Sequence, residues 1–123
     1  MPSGPMPRTD PATKAFFDEV IPDDPRVRVR PMFGNHAAFV GETMFAGVFG
    51  EDVFLRLPEA ERQELVERDG ATPFEPMAGR PMREYVTAPA AWRDDPATAR
   101  AWLDRSLAWA ATLPAKPPKA RKR

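Results

Sequence analysis

Residues Arg30 to His36, RPMFGNH, set the chain's single histidine beside an asparagine and a glycine. Histidine is the side chain whose ordinary pKa suits proton transfer near neutral pH, and loops are where such groups are commonly displayed. A general base, however, needs a reacting proton within reach, and a nucleophilic site needs a Ser, Cys or Lys oriented by a base. The chain carries no GxSxG elbow, no HExxH pair, no glycine-rich phosphate loop ending in Lys-Ser/Thr and no cysteine. One histidine without cysteine cannot assemble the usual zinc set. His36 is therefore read as a turn residue bonding to backbone or solvent, with a proton carrier or ligand as the competing reading. No catalytic residue, cofactor-binding residue or metal ligand is assigned, and the chain is expected not to be an enzyme.

The other charged candidates have similarly plain alternatives. Asp23-Asp24 and Asp94-Asp95 lie beside prolines, where aspartate forms turns and caps helices. Arg80 stands between Gly79 and Pro81, whose rigid neighbours would present its guanidinium fork to a small anion; a solvated loop arginine is the bland reading. Trp102 and Trp109, seven residues apart, fall on one helical stripe and are read as packing residues rather than a stacking platform for a ligand. The last ten residues contain Lys116, Lys119, Arg121, Lys122 and Arg123 and no acid. Removing those five from the 18 basic residues leaves 13 against 18 acidic ones in residues 1–113, a balance of −5. That balance argues against a broadly basic DNA-binding face on the folded part, and any attraction to phosphate belongs to the tail.

The elements that must position these groups follow from patterning. A chain of 123 residues, 42% hydrophobic and 29% charged, suits one globular domain. Prolines cluster at both ends, so residues 1–9 and the basic stretch 114–123 are expected to be disordered tails around a domain at 10–113. Asp10 can cap a first helix with Pro11 at its first position and Phe16, Phe17, Val20 and Ile21 on its apolar side; Pro22 ends it. Val27 and Val29 alternate with arginines, which predicts a half-buried strand whose exit is RPMFGNH.

In residues 37–57 the pairs Gly41-Glu42 and Gly50-Glu51 divide apolar runs and predict two-residue hairpins. Those turns set Phe39 opposite Met44, Val40 opposite Thr43, Val48 opposite Val53 and Ala46 opposite Leu55. Phe39, Met44, Ala46, Val48, Val53 and Leu55 then share one face, and Ala38, Phe45, Gly47, Phe54 and Arg56 the other. The second face is more apolar than solvent requires. Residues 58–69 predict a surface helix stopped by Gly70, and Asp95 caps a longer helix at 96–113 whose Ala99, Trp102, Leu103, Ser106, Ala110 and Leu113 pack on the sheet. Phe74 and residues 82–87 read as further strand material around a turn at Gly79. The fold class is α+β, an antiparallel β-meander with flanking helices.

The ordered series Pro31-Met32-Phe33-Gly34, Met44-Phe45-Ala46, Val53-Phe54-Leu55-Arg56, Phe74, Gly79-Arg80-Pro81-Met82 and Tyr85 resembles the N-terminal domain of the TfoX/Sxy competence-regulator family, over roughly Thr13 to Thr112. The resemblance implies a small α+β domain of the TfoX N-terminal-like and YjbR-like kind, here as a stand-alone single-domain member. In long members of that family a second, helical domain follows, and those proteins regulate transcription of DNA-uptake genes rather than catalyse a reaction. Asn35 stands where the family tends to have a second glycine, and asparagine tolerates left-handed backbone better than most residues.

Two functional readings result. One is a regulatory or adaptor module that binds a protein, or itself, through the face bearing Phe45, Phe54 and Arg56. The other is an accessory nucleic-acid binder that uses the basic tail. Small-ligand binding at His36 and Arg80 ranks third. The absence of cysteine, of a signal-like apolar stretch and of any long apolar run predicts a cytoplasmic, non-membrane protein.

Overall fold

The computed structural model describes residues 9–32, 35–75, 82 and 84–113. Helix α1, Pro11–Val20, begins as its sequence requires: the Asp10 carboxylate accepts hydrogen bonds from the Thr13 N–H and hydroxyl, both at 3.0 Å, and Pro11 occupies the first turn. Asp10 also donates its own N–H to the Gly50 carbonyl at 2.9 Å, which fastens the start of α1 to a turn of the sheet. Phe16, Phe17 and Val20 enter the core together.

Six strands form one antiparallel sheet: β1 Val27–Met32, β2 Asn35–Val40, β3 Thr43–Phe49, β4 Asp52–Arg56, β5 Thr72–Pro73 and β6 Tyr85–Thr87, in the order β1-β2-β3-β4-β6-β5. The expected meander holds through β4. After it β6 takes the place beside β4, and the short β5 pairs on its far side. Gly41 and Gly50 have φ of 61° and 63°, the left-handed backbone that the two hairpins need at their first central residue.

The cross-strand pairs expected near each turn are present: Phe39 faces Met44, Val40 faces Thr43, Val48 faces Val53 and Ala46 faces Leu55. Their division into faces is different. Between Ala38 and Phe39 the register shifts, because Ala38 pairs with Ala46 and Phe39 with Met44, which leaves Phe45 as the extra residue of a β-bulge. Phe45 turns into the core with 0% exposure, on the side opposite Phe54. Phe39 and Met44 move to the outer face for the same reason. A face shared by Phe45 and Phe54 therefore does not exist.

Helix α3, Pro96–Thr112, is capped by Asp95 and covers the inner face, burying Ala99, Trp102, Leu103, Ser106, Leu107 and Ala110. Helix α2, Glu59–Glu64, is on the surface as expected and runs into a wider π-type turn, Leu65–Asp69, that Gly70 ends at φ 82°. Leu65 in that turn is nonetheless fully buried with the core. A 3₁₀ turn, Ala90–Asp94, precedes α3 and stacks Trp92 on Trp102 with ring centroids 6.5 Å apart. Arg93 in that turn spans three elements: it donates to the Thr13 hydroxyl and to the Glu51 carbonyl and lies over the Phe16 ring.

Candidate functional site

The outer face of the sheet closes on itself. Gly47 has no side chain, and the Phe54 ring lies across the space: a Cβ on Gly47 would be 2.5 Å from Phe54 Cζ and 2.7 Å from the His36 carbonyl oxygen. Phe74 stacks on Phe54 at 4.2 Å, Phe49 meets Phe74 edge-on at 5.5 Å, and Tyr85 approaches Phe54 at 5.9 Å. Phe54 is consequently buried. Neither phenylalanine assigned to a partner surface from the sequence is available there.

Arg56, the third residue of that assignment, is half-buried in a polar cluster where β3, β4, β6 and α3 meet. Its guanidinium lies between the rings of Tyr85 and Trp109, at 5.7 and 5.5 Å from their centroids, and its Nε donates to Glu84 Oε1 at 2.9 Å. Glu84 has φ 73°, the one non-glycine residue with positive φ among the described residues. Its conformation is held from both ends, by Arg56 on the side chain and by the Leu57 N–H, which donates to its carbonyl at 2.9 Å. Ser106, fully buried, donates to the carbonyls of Phe45 and Arg56, so one hydroxyl serves the bulge and the end of β4.

Tyr85 donates its hydroxyl to the Met44 carbonyl at 2.8 Å. Burial pushes its pKa up from the ordinary value of 10, helped by nearby Glu84 and opposed by Arg56. A raised pKa means the fold favours the neutral phenol, so this stabilisation is fully present below pH 10 and is lost as pH rises through the folded-state value. Tyr85 is the only tyrosine. We expect the phenolate absorbance of the native chain to titrate above pH 10, and Tyr85→Phe to remove that alkaline loss of stability at a cost of about 1 kcal/mol at neutral pH. A midpoint at or below the free tyrosine value contradicts this.

His36 is not a turn residue. It lies in β2, paired with Pro31 and Val48, and its Nδ1 is 3.2 Å from the Thr9 hydroxyl. Its neighbour Asn35 is buried and accepts hydrogen bonds from the Gly50 N–H at 2.8 Å and the Thr9 hydroxyl at 3.0 Å. The asparagine thus fastens the β3–β4 turn and the segment before α1 to the start of β2. The aspartates behave as turn and cap residues: Asp24 receives the Arg26 N–H and side chain, which hold its carboxyl at about 2, and Asp95 starts α3. Arg80 and the tail residues Lys116, Lys119, Arg121, Lys122 and Arg123 lie outside the described residues. Among the described residues no group of three or more His, Cys, Asp and Glu side chains could hold a metal ion.

Among the described residues one long edge remains open. In the strand order β1 and β5 are terminal, and β1 has six residues against two. The row running through Val29, Ala38, Ala46, Leu55 and Val86 is buried everywhere except at Val29, which is 39% exposed, so the core layer that reaches Val27 leaves the middle of β1 uncovered. On the other face Arg28 and Arg30 extend the row of Phe39 and the row of Gly47 and Phe54. Arg30 lies over the Phe39 ring at 4.5 Å, and neither arginine has an acidic partner among the described residues.

An antiparallel sheet with an open edge among the described residues, helices on one face and an aromatic lid on the other defines a small α+β domain. The sequence description of the TfoX N-terminal domain matches residues 8–110. The chain belongs to the TfoX N-terminal domain family. No curated protein and no solved structure matches it. No helix among the described residues is long and apolar enough to cross a membrane.

Several of the structurally decisive residues are weakly marked in the sequence. Ser106 was visible as a polar residue in an apolar stripe, the usual sign of a buried hydroxyl with a backbone partner. Glu84 carries no such signal, because its positive φ arises from the neighbours that hold it. Arg93 bonds across a separation of 80 residues, which no local pattern encodes.

Proposed function

We propose that the chain is a non-enzymatic regulatory or adaptor module that acts by binding another protein. The observation that supports this best is the open β1 edge, a six-residue strand with an exposed valine on one face and, on the other, two arginines without an acidic partner among the described residues. Exposed strand edges are where extended partners add to a sheet, and proteins that do not use them usually cover or shorten them. Family membership supports a regulatory role, and transcription is the process in which we place it.

The test is affinity capture from lysate of the native host, with and without nuclease, using the full chain and a version ending at Leu113. Recovery of one specific protein by both versions despite nuclease is the expected result. Recovery that vanishes with nuclease or with the shortened chain overturns it in favour of nucleic-acid binding. That second reading is supported by the five positive charges of residues 114–123, which can contact at most about five phosphates and give a salt slope no steeper than about −4.5.

A further inference from the structure

We propose that β1 receives a short extended acidic segment of a partner protein, with an apolar residue between two carboxylates, as a seventh strand. The inference rests on the adaptor reading and names the chemistry of its partner.

The backbone determines which groups are offered. Pro31 has no N–H, and the Val27 N–H is already donated to the Asp24 carbonyl at 2.9 Å. Antiparallel ladders alternate inward and outward residues, so Arg28 and Arg30 bond toward β2, while Val27, Val29 and Pro31 direct their backbone groups to the open side. The edge therefore offers one N–H, that of Val29, and the carbonyls of Val27, Val29 and Pro31. A partner residue opposite Val29 can exchange both hydrogen bonds with it, and residues two positions to either side can donate to the flanking carbonyls.

Side-chain directions follow from that register. The partner residue opposite Val29 falls on the helix side, where an apolar side chain covers the exposed valine and prolongs the buried row from Ala38 to Val86. Its two neighbours fall on the outer face directly opposite Arg28 and Arg30, where a carboxylate is favoured.

The same charges disfavour a second copy of this chain. Centred on Val29, antiparallel pairing of two β1 strands sets Arg28 against Arg30 of the copy, and shifting by two residues sets Arg28 against Arg28 or Arg30 against Arg30. Like charges directly opposed destabilise every one of these registers. Arg26 is neutralised by Asp24 at 2.9 Å; Arg28 and Arg30 have no such partner among the described residues.

The experiment measures anisotropy of a fluorescein-labelled peptide, Thr-Ser-Glu-Val-Glu-Ser-Thr, titrated with the full chain at low salt. We expect saturable binding, weakened about tenfold or more when the glutamates become lysines, when the central valine is N-methylated, or when the protein carries Arg28→Glu with Arg30→Glu. The double variant should instead prefer the lysine peptide. Val29→Pro removes the single outward N–H and leaves the β1–β2 ladder intact, so it should lower affinity with an unchanged circular dichroism spectrum. No binding up to millimolar protein, or equal binding of all three peptides, overturns the proposal. The two readings fail separately: a host protein captured equally by wild type and the Arg28→Glu, Arg30→Glu variant sinks the edge site and leaves the adaptor reading standing. Capture of no protein sinks the adaptor reading.

Discussion

Gly47→Ala is expected to destabilise the domain by about 3 kcal/mol, read as a lowered urea midpoint with an unchanged slope. The added methyl would meet the Phe54 ring at 2.5 Å and the His36 carbonyl at 2.7 Å. The ring is itself pinned by Phe74 and Tyr85, and the carbonyl belongs to the paired backbone of β2, so neither can withdraw cheaply. Shortening Phe54 in the same chain relieves one clash and leaves the other. Gly41→Ala is the informative comparison. Nothing lies within 4 Å of its new methyl, and only the φ of 61° opposes the change, a cost of about 1 kcal/mol. Equal effects at the two glycines would mean that close packing across Gly47 is not what holds the aromatic lid.

Phe45→Lys is expected to abolish folding rather than to reveal a partner. Phe45 is fully buried under α3, and its carbonyl is one of the two that Ser106 bonds. Truncation to alanine should cost about 3–5 kcal/mol from lost contacts and the cavity left behind. A lysine at that place puts an ammonium into the hydrophobic core cluster, against a total stability of about 5–15 kcal/mol for a domain of this size. Loss of the cooperative thermal transition and of the far-ultraviolet strand signal is the readout. A folded Phe45→Lys protein would show that the bulge can rotate this side chain to solvent.

Much of the architecture is legible in local chemistry. Asp10-Pro11 and Asp95-Pro96 announce the two long helices, and Gly41 and Gly50 announce the hairpins, because each is a one-turn interaction between near neighbours. The bulge is not legible. Counting back from the Gly41 turn gives the correct pairs at Val40 and Phe39, and counting from Gly50 gives those at Val48 and Ala46, and both counts use alternation that holds only near a turn. The extra residue between them is selected by tertiary contacts: a core that accepts Phe45 and a buried hydroxyl, Ser106, 61 residues away. One residue of slippage moved two aromatic side chains to unexpected faces, and with them the surface assigned to a partner. The replacement surface was partly visible as the alternating Val27 to Arg30 stretch, but its position at the edge depends on β6 and β5 pairing at the opposite end.

That inverted order of the last two strands also dictates how the chain can assemble. The first four strands are neighbours in both sequence and sheet order and can pair as they emerge. Among the described residues β5 pairs only with β6, and β6 joins the rest of the sheet by closing a longer loop onto β4. Phe74 directly follows β5, so the aromatic lid depends on that closure. Without that closure Phe54 lacks both rings that cover it, Phe74 and Tyr85, and an outer face with bare aromatic rings is where this chain is most open to aggregation.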